Sequence, residues 1–284
     1  MLRTTFAGPV HACHSRLDEM SNTHLQLPDR SSKPRRAGFT MAIDNGLPFN
    51  LFCDFVESAS DHVDFVKFGW GTSVVTASVE KKIAFLQNAS VHFYLGGTLF
   101  EKYIIQNRFQ QYRELLRDLG CEYVEVSNGT IDLDDVRKSE YVAALSAEFK
   151  VISEVGSKNN ERSENMAPNR WVEYIRDDLA AGALLVTLET RESGRGGICR
   201  PNGELRYGLL EEILTSGIDP NSLLFEAPSM DLQSYFVRRI GSDVNLGNIA
   251  PSDLIGLETI RLGLRSETLL QFEPAGVTSV RDGL

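Results

Sequence analysis

The chain has 284 residues, 42% of them hydrophobic, and carries 39 acidic against 29 basic side chains for a net charge of −10. That length suits one large α/β domain or two small ones, and the acidic balance excludes a general nucleic-acid binder, which needs a basic face. No run reaches the roughly 18 apolar residues of a membrane span, no apolar stretch near the start reads as a secretory signal, and Cys13, Cys53, Cys121 and Cys199 fit no zinc spacing. Reduced thiols in a cytoplasmic protein are therefore expected.

Residues 1–36 stand apart, with three of the five histidines and the polar run Leu27-Pro-Asp-Arg-Ser-Ser-Lys-Pro-Arg-Arg36. They are expected to form a largely disordered extension whose end packs on the domain. Met20 is an alternative start. His11, Cys13 and His14 read as an incidental cluster rather than a metal site.

From Gly38 onward, strands and helices alternate. Residues 38–44 predict a strand, and 49–60 a helix with Leu51, Phe52, Phe55, Val56 and Ala59 at helical spacing. The second strand holds Val63, Phe65, Val66, Lys67 and Phe68. It opens into Gly69-Trp-Gly71-Thr72-Ser73, and a helix follows over 77–88. Strand three, 91–95, ends in Gly96-Gly97-Thr98. One long helix is expected over 100–119, stopped by Gly120.

Strand four, 122–127, leads through Asn128-Gly-Thr130 to a helix capped by Asp132 or Asp134 and running to about 148. Strand five, 150–155, ends in Gly156-Ser-Lys158, and a helix over 169–181 is closed by Gly182. Strand six, 184–188, carries the polar loop 189–197. A helix at 208–216 and strand seven at 223–226 follow, then a helix to about 240. Strand eight is expected at 244–246, and a last helix at 251–264 has Pro251 in its first turn.

Eight strand–helix units predict a single (β/α)8 barrel over residues 37–270, between the extension and a tail at 271–284. The structural alternative is a doubly wound open sheet. The chain lacks a Gly-x-Gly-x-x-Gly fingerprint after strand one, which favours the barrel.

In a barrel, chemistry sits at the C-terminal strand ends. Those ends supply Asp44, Lys67, Glu125, Glu154, Glu189 and Glu226. On strand four, Glu125 and Ser127 share one face while Val124 and Val126 share the other. Gathered carboxylates need cations, here Lys67, Lys158 and Arg191, and Mg²⁺ suits such an oxygen-rich site. Arg191, with Ser193 and Gly194 after it, is built for a carboxylate or phosphate. Backbone and side-chain donors for a substrate anion are expected from Gly71, Thr72, Ser73, Gly97, Thr98, Ser127, Asn128, Asn245 and Asn248. His62 and His92 fall near strand starts, so a Ser-His-Asp arrangement is not expected.

Seven motifs occur in order. They are Lys67-Phe-Gly-Trp-Gly-Thr-Ser73, Gly96-Gly-Thr-Leu-Phe-Glu101, Glu125-Val-Ser-Asn-Gly-Thr130, Ser153-Glu-Val-Gly-Ser-Lys158, Arg191-Glu-Ser-Gly194, Phe225-Glu-Ala-Pro228 and Asn245-Leu-Gly-Asn-Ile-Ala-Pro251. Together, over about residues 38–265, they resemble the phosphosulfolactate synthase family.

The resemblance implies a (β/α)8 carbon–sulfur lyase-class enzyme. It would add sulfite to phosphoenolpyruvate with Mg²⁺, giving (2R)-phospho-3-sulfolactate, a step toward coenzyme M in methanogens. It also implies a homo-oligomer. In that reaction sulfite attacks C3 while negative charge builds on C2 and the carboxylate. Glu125 and Glu154 would hold Mg²⁺ with Asp44 or Glu189. Lys158 would protonate C2, and Lys67 and Arg191 would bind substrate oxyanions.

The chain departs from the expected Asp-Lys-Gly-Leu-Pro after strand one, reading Asp44-Asn45-Gly-Leu-Pro48. Two alternatives stay open on the sequence. One is a barrel enzyme for another enol phosphate or nucleophile, the other a non-catalytic relative of the plant heat-stress-associated proteins.

Overall fold

The structure, a computed structural model, describes residues 24–157 and 164–274. Its eight strands are β1 (Thr40–Asp44), β2 (Phe65–Phe68), β3 (His92–Leu95), β4 (Tyr123–Val126), β5 (Lys150–Val155), β6 (Ala183–Leu188), β7 (Leu223–Glu226) and β8 (Leu246–Ile249). All paired neighbours are parallel, in the order β3-β2-β1-β8-β7-β6-β5-β4. Bonding of β8 to β1 rolls the sheet into a (β/α)8 barrel. One seam remains, between β3 and β4, which lie side by side without a ladder. Side chains seal it: the His92 and Tyr123 rings stand 4.8 Å apart, and Gly97 N–H donates to Glu125 Oε2 at 2.6 Å.

The helices are α1 (Phe49–Ser58), α2 (Thr72–Val75), α3 (Val79–Asn88), α4 (Gly97–Ile105), α5 (Phe109–Asp118), α6 (Asp135–Ser146), α7 (Pro168–Ala180), α8 (Tyr207–Thr215), α9 (Met230–Ile240) and α10 (Leu254–Arg261). Strand alternation sorts the core into two bodies. Outward residues such as Phe68, Val124, Val126, Val186 and Phe225 pack under the helices. Inward residues Met41, Phe65, Tyr94, Tyr123, Ile152, Leu185 and Leu224 fill the lower barrel as a separate plug. One inward position further along, the layer turns polar, and this places the site above an apolar floor.

Besides the short α2, which the pattern did not mark, and a last helix that begins at Leu254 after a 3-10 turn at Pro251–Asp253, two elements differ from the sequence pattern. The helix expected over 100–119 is two helices, α4 and α5, broken at Asn107 with φ 56°. Asn107 N–H donates to Ile104 O and Arg108 N–H to Tyr103 O, a C-terminal cap that ends α4. The apolar rhythm runs through the break because Tyr103 and Tyr112 still pack together, at 5.3 Å. Strand eight lies at Leu246–Ile249, later than 244–246. Asn245 explains the shift: its Oδ1 accepts from Phe39 N–H and its Nδ2 donates to Asn221 O and Leu223 O. It is a polar brace at the foot of β8.

Asp134, one of the two cap candidates, accepts from Arg137 N–H at 2.8 Å and starts α6. Residues 24–39 have little regular structure but are tied to the barrel's foot. Arg30 donates to Asp243 and Glu258, and Arg35 to Asp64. Residues 1–23, with His11, Cys13, His14 and Met20, lie outside the described residues, as do 275–284. Among the described residues no helix is long and apolar enough to cross a membrane.

Candidate active site

Lys67 ends its inward course at the centre of the barrel mouth. Its Nζ lies 2.9 Å from Glu125 Oε1, 3.3 Å from Glu226 Oε1 and 3.8 Å from Glu154 Oε2. Four strands thus converge on one ammonium, because Lys67, Glu125, Glu154 and Glu226 all occupy the inward position above the apolar plug. Burial disfavours the charge on Lys67, but Glu125, Glu226 and Glu154 outweigh it and hold the amine protonated well above the usual lysine range. Burial raises Glu125, with Lys67 opposing. Burial also lifts Glu226 to about 7, against Lys67 and with Glu154 and Glu125 adding to the rise.

Backbone donors fix one oxygen of each of two carboxylates. Glu125 Oε2 takes the Gly97 N–H at the start of α4, and Glu226 Oε2 takes the Thr190 N–H at 2.7 Å. Gly97 has to lack a side chain, since a Cβ there would stand 2.5 Å from Ser127 Oγ. Glu154 is positioned from behind. Buried Lys138 donates to its carbonyl at 3.0 Å and pairs with Asp178 at 2.7 Å.

A cavity of about 450 Å³ opens over this cluster. Of the candidates named from the sequence, it brings together Lys67, Gly97, Thr98, Glu125, Glu154, Glu189, Arg191, Ser193 and Asn248. Its wall also includes Ile43, Trp70, Thr130, Thr190, Glu192 and Glu226. Glu226 was visible as a strand-end glutamate. Trp70 and Thr130 were readable only as parts of turns, and nothing in the local pattern marked Ile43. Arg191 is exposed on the rim and makes no ion pair among the described residues.

Other candidates are elsewhere. Asp44 faces outward: Lys82 Nζ sits 2.5 Å from its Oδ2, and its Oδ1 accepts from Gly46 and Leu47 N–H. Both oxygens are engaged away from the mouth, so the expected metal ligand is instead a brace for the turn after β1. Asn245 is at the opposite end, as described. Ser127 donates to Glu101, and Asn128 to Leu133 O and Asp135, so both shape the loop after β4. Gly71, Thr72, Ser73 and Gly194 do not line the cavity, where Trp70 and Ser193 stand for those loops. Lys158 lies outside the described residues.

A cavity of about 590 Å³ lies at the foot of the barrel, lined by Phe39, Phe65, His92, Phe93 and Tyr123 among others. It is larger, but it lacks the buried converging charges of the mouth. His92 and His62 belong to this end, paired with Glu122 at 3.3 Å and Glu258 at 3.9 Å, far from any role in the mouth.

The raised Glu226 carboxyl has a consequence for stability. Its folded-state value of about 7 lies above its ordinary 4.5, so the folded chain holds the proton more tightly. That contribution is complete below about pH 4.5 and is lost as pH rises through 7. Without added divalent cation, the melting temperature is expected to decline across this window, and Glu226→Gln to flatten the decline. Equal slopes in calorimetry would refute it.

A model of the family described as (2R)-phospho-3-sulfolactate synthase matches residues 28–267. A phosphosulfolactate synthase of Bacillus subtilis is 48% identical over 249 residues, covering 88% of this chain and 99% of the relative. One from Methanothermobacter thermautotrophicus is 41% identical over 246 residues, covering 85% and 95%. Among solved structures, a 3-hexulose-6-phosphate synthase superposes with a TM-score of 0.50 at 12% identity, covering 78% of this chain and 99% of its own. That likeness concerns the barrel alone.

Proposed function

This chain belongs to the (2R)-phospho-3-sulfolactate synthase family, and from that premise we propose that its barrel mouth adds sulfite to phosphoenolpyruvate. The observation that carries this reading is Lys67 held among Glu125, Glu154 and Glu226 beneath a cavity rimmed by Arg191. Such a cluster is costly to bury, and unlike the one-to-one braces Lys82–Asp44 and Lys138–Asp178 it sets one cation against three carboxylates at the floor of an open cavity.

The cavity wall presents five glutamates, Glu125, Glu154, Glu189, Glu192 and Glu226, against Lys67 and Arg191. That excess of hard oxygen donors fits Mg²⁺ in kind and in charge. The side chains are not spaced as a preformed cage, since no group of three or more His, Cys, Asp or Glu among the described residues is arranged to hold an ion. Glu125, Glu154 and Glu189 would hold it. Bound there, Mg²⁺ would supply positive charge to substrate oxygens as the enol gains electron density.

The chain's own groups account for the rest. Sulfite's sulfur forms a bond to C3, and the C2–C3 π electrons move toward C2 and the carboxylate. Arg191 can grip an anionic group of the substrate with two parallel donors. Lys67, pinned by three carboxylates, offsets part of their negative charge and holds them in fixed positions beneath the reacting carbons. The proton that completes C2 comes, in this reading, from Lys158, which lies outside the described residues.

Purified protein is expected to consume phosphoenolpyruvate only when sulfite is present, and more slowly after chelation of divalent cations. A sulfonated phospholactate should accumulate in step, followed by mass spectrometry. No sulfite-dependent consumption at millimolar concentrations would remove the proposal.

A further inference from the structure

Strand β8 is irregular where it meets β1. Thr40 pairs with Leu246, but the next pairing joins Ala42 to Ile249, so Gly247 and Asn248 together oppose the single residue Met41. This is a β-bulge, a device that re-aims a side chain. Leu246 and Ile249 both keep to the outer apolar layer, which leaves one additional position between them. Gly247 puts no side chain on the inner side, where a Cβ would press to 2.7 Å from Met41 Cε and 3.3 Å from Leu224 Cδ2. Asn248 takes the position. It lines the mouth cavity and is only 6% exposed.

Two costs meet in this one residue. Its φ is 54°, in the left-handed region that a non-glycine residue enters at a penalty, asparagine with the least. Its amide is also incompletely satisfied. The atom 3.4 Å from Thr190 O has to be Nδ2, since a carbonyl there would repel, and this fixes the amide's orientation. Oδ1 is then a buried acceptor with no hydrogen-bond partner among the described residues. Strain and an unmet acceptor in the same side chain point to a ligand that completes it.

An amide oxygen needs a donor. Around the same cavity stand Glu226 from β7, Glu189, Arg191 and Glu192 after β6, and Lys67 from β2, while Asp44 of β1 is turned outward to Lys82. Glu226 is engaged at both oxygens, Oε1 by Lys67 and Oε2 by the Thr190 N–H, and the other carboxylates cannot donate when ionised. Lys67 is held by its three glutamates, and Arg191 stands exposed on the rim. The acidic mouth also resists a doubly charged anion more than a singly charged one.

Building on the reaction proposed above, we propose that Asn248 is a substrate-positioning residue whose Oδ1 accepts a hydrogen bond from the O–H of a singly protonated oxyanion. The bulge exists to present it. The oxyanion is the hydrogen sulfite or the monoprotonated phosphate group of phosphoenolpyruvate, which share this chemistry. The phosphate monoester loses its last proton at about pH 6, and hydrogen sulfite, also a weak acid, is deprotonated on the alkaline side of that value.

Asn248→Gly separates this role from a structural one, because glycine relieves the backbone strain while removing the amide. Sulfite and phosphoenolpyruvate are each titrated alone, with Mg²⁺ present, into wild type and variant at about pH 6 and about pH 8. The variant is expected to melt no lower than wild type. It should bind one of the two ligands about ten-fold more weakly at the lower pH, the loss of one hydrogen bond to a charged group, and within two-fold at the higher. The ligand affected identifies the oxyanion read.

Unchanged binding of both ligands, or a loss equal at both pH values, overturns the inference while leaving the reaction intact. A lower melting temperature with both ligands weakened alike makes Asn248 structural and overturns it too. Wild type that binds neither ligand removes the proposed reaction itself, and this inference with it.

Discussion

Lys67→Met is expected to cost about 3–5 kcal/mol of stability near neutral pH, the price of leaving buried carboxylates without their cation. The melting temperature should fall on the order of 10 °C for a barrel of this size. Turnover should fall below detection in the sulfite-dependent assay, since the cation that positions the three carboxylates and offsets their charge is gone. The stability loss carries a signature. Glu125 and Glu226 already hold protons more tightly than ordinary carboxylates, and without Lys67 they hold them more tightly still. Protonation then relieves the uncompensated charge, so the deficit should shrink as pH falls toward about 5. A Lys67→Met protein equally destabilised at acid and neutral pH would refute the account of the cluster.

The second large effect lies in the loop after β6. Gly197 has φ 61°, and a Cβ there would stand 1.8 Å from the carbonyl oxygen of Glu189. That carbonyl accepts the Ile198 N–H at 2.9 Å, and Arg206 donates to Gly197 O at 3.3 Å. The loop is thus folded flat onto the residue that follows β6, and backbone cannot yield as a side-chain tip can. Gly197→Ala should lift the loop, shifting Glu189 and Arg191 together while the barrel stays folded. A displacement of about 1 Å at catalytic groups commonly costs on the order of 100-fold. We expect that loss in kcat/KM with an unchanged far-ultraviolet circular dichroism spectrum. Activity within a few-fold of wild type would show that the loop's seat on Glu189 is not needed.

Eight strands were legible because each is short, apolar and followed by turn residues, and the period of two put Lys67 and the glutamates on one side of their strands. Less legible was everything decided by a distant partner. Asp44 reads as a mouth ligand until Lys82, on α3, draws it outward. Asn245 reads as a substrate contact until Phe39 and Leu223 claim its amide. The bulge that raises Asn248 depends on the match between β8 and β1, far apart in the chain. Asn107 ends a helix inside an unbroken apolar rhythm, because packing continues across the cap. Lys67 itself was readable as a buried cation, but not that three carboxylates would surround it.

The seam between β3 and β4 ties the barrel's mechanics to its chemistry. A ladder would hold these strands with repeated backbone bonds. In its place the Gly97 amide grips Glu125 at the top and two aromatic rings meet at the bottom. Amide protons along β4 are therefore expected to trade with solvent deuterium sooner than those of β6, flanked by ladders on both sides. Because Glu125 serves both as the rivet and as a wall of the cavity, whatever occupies the mouth should also slow that trade. The barrel's weakest joint would thereby report, from the backbone, whether the site above it is full.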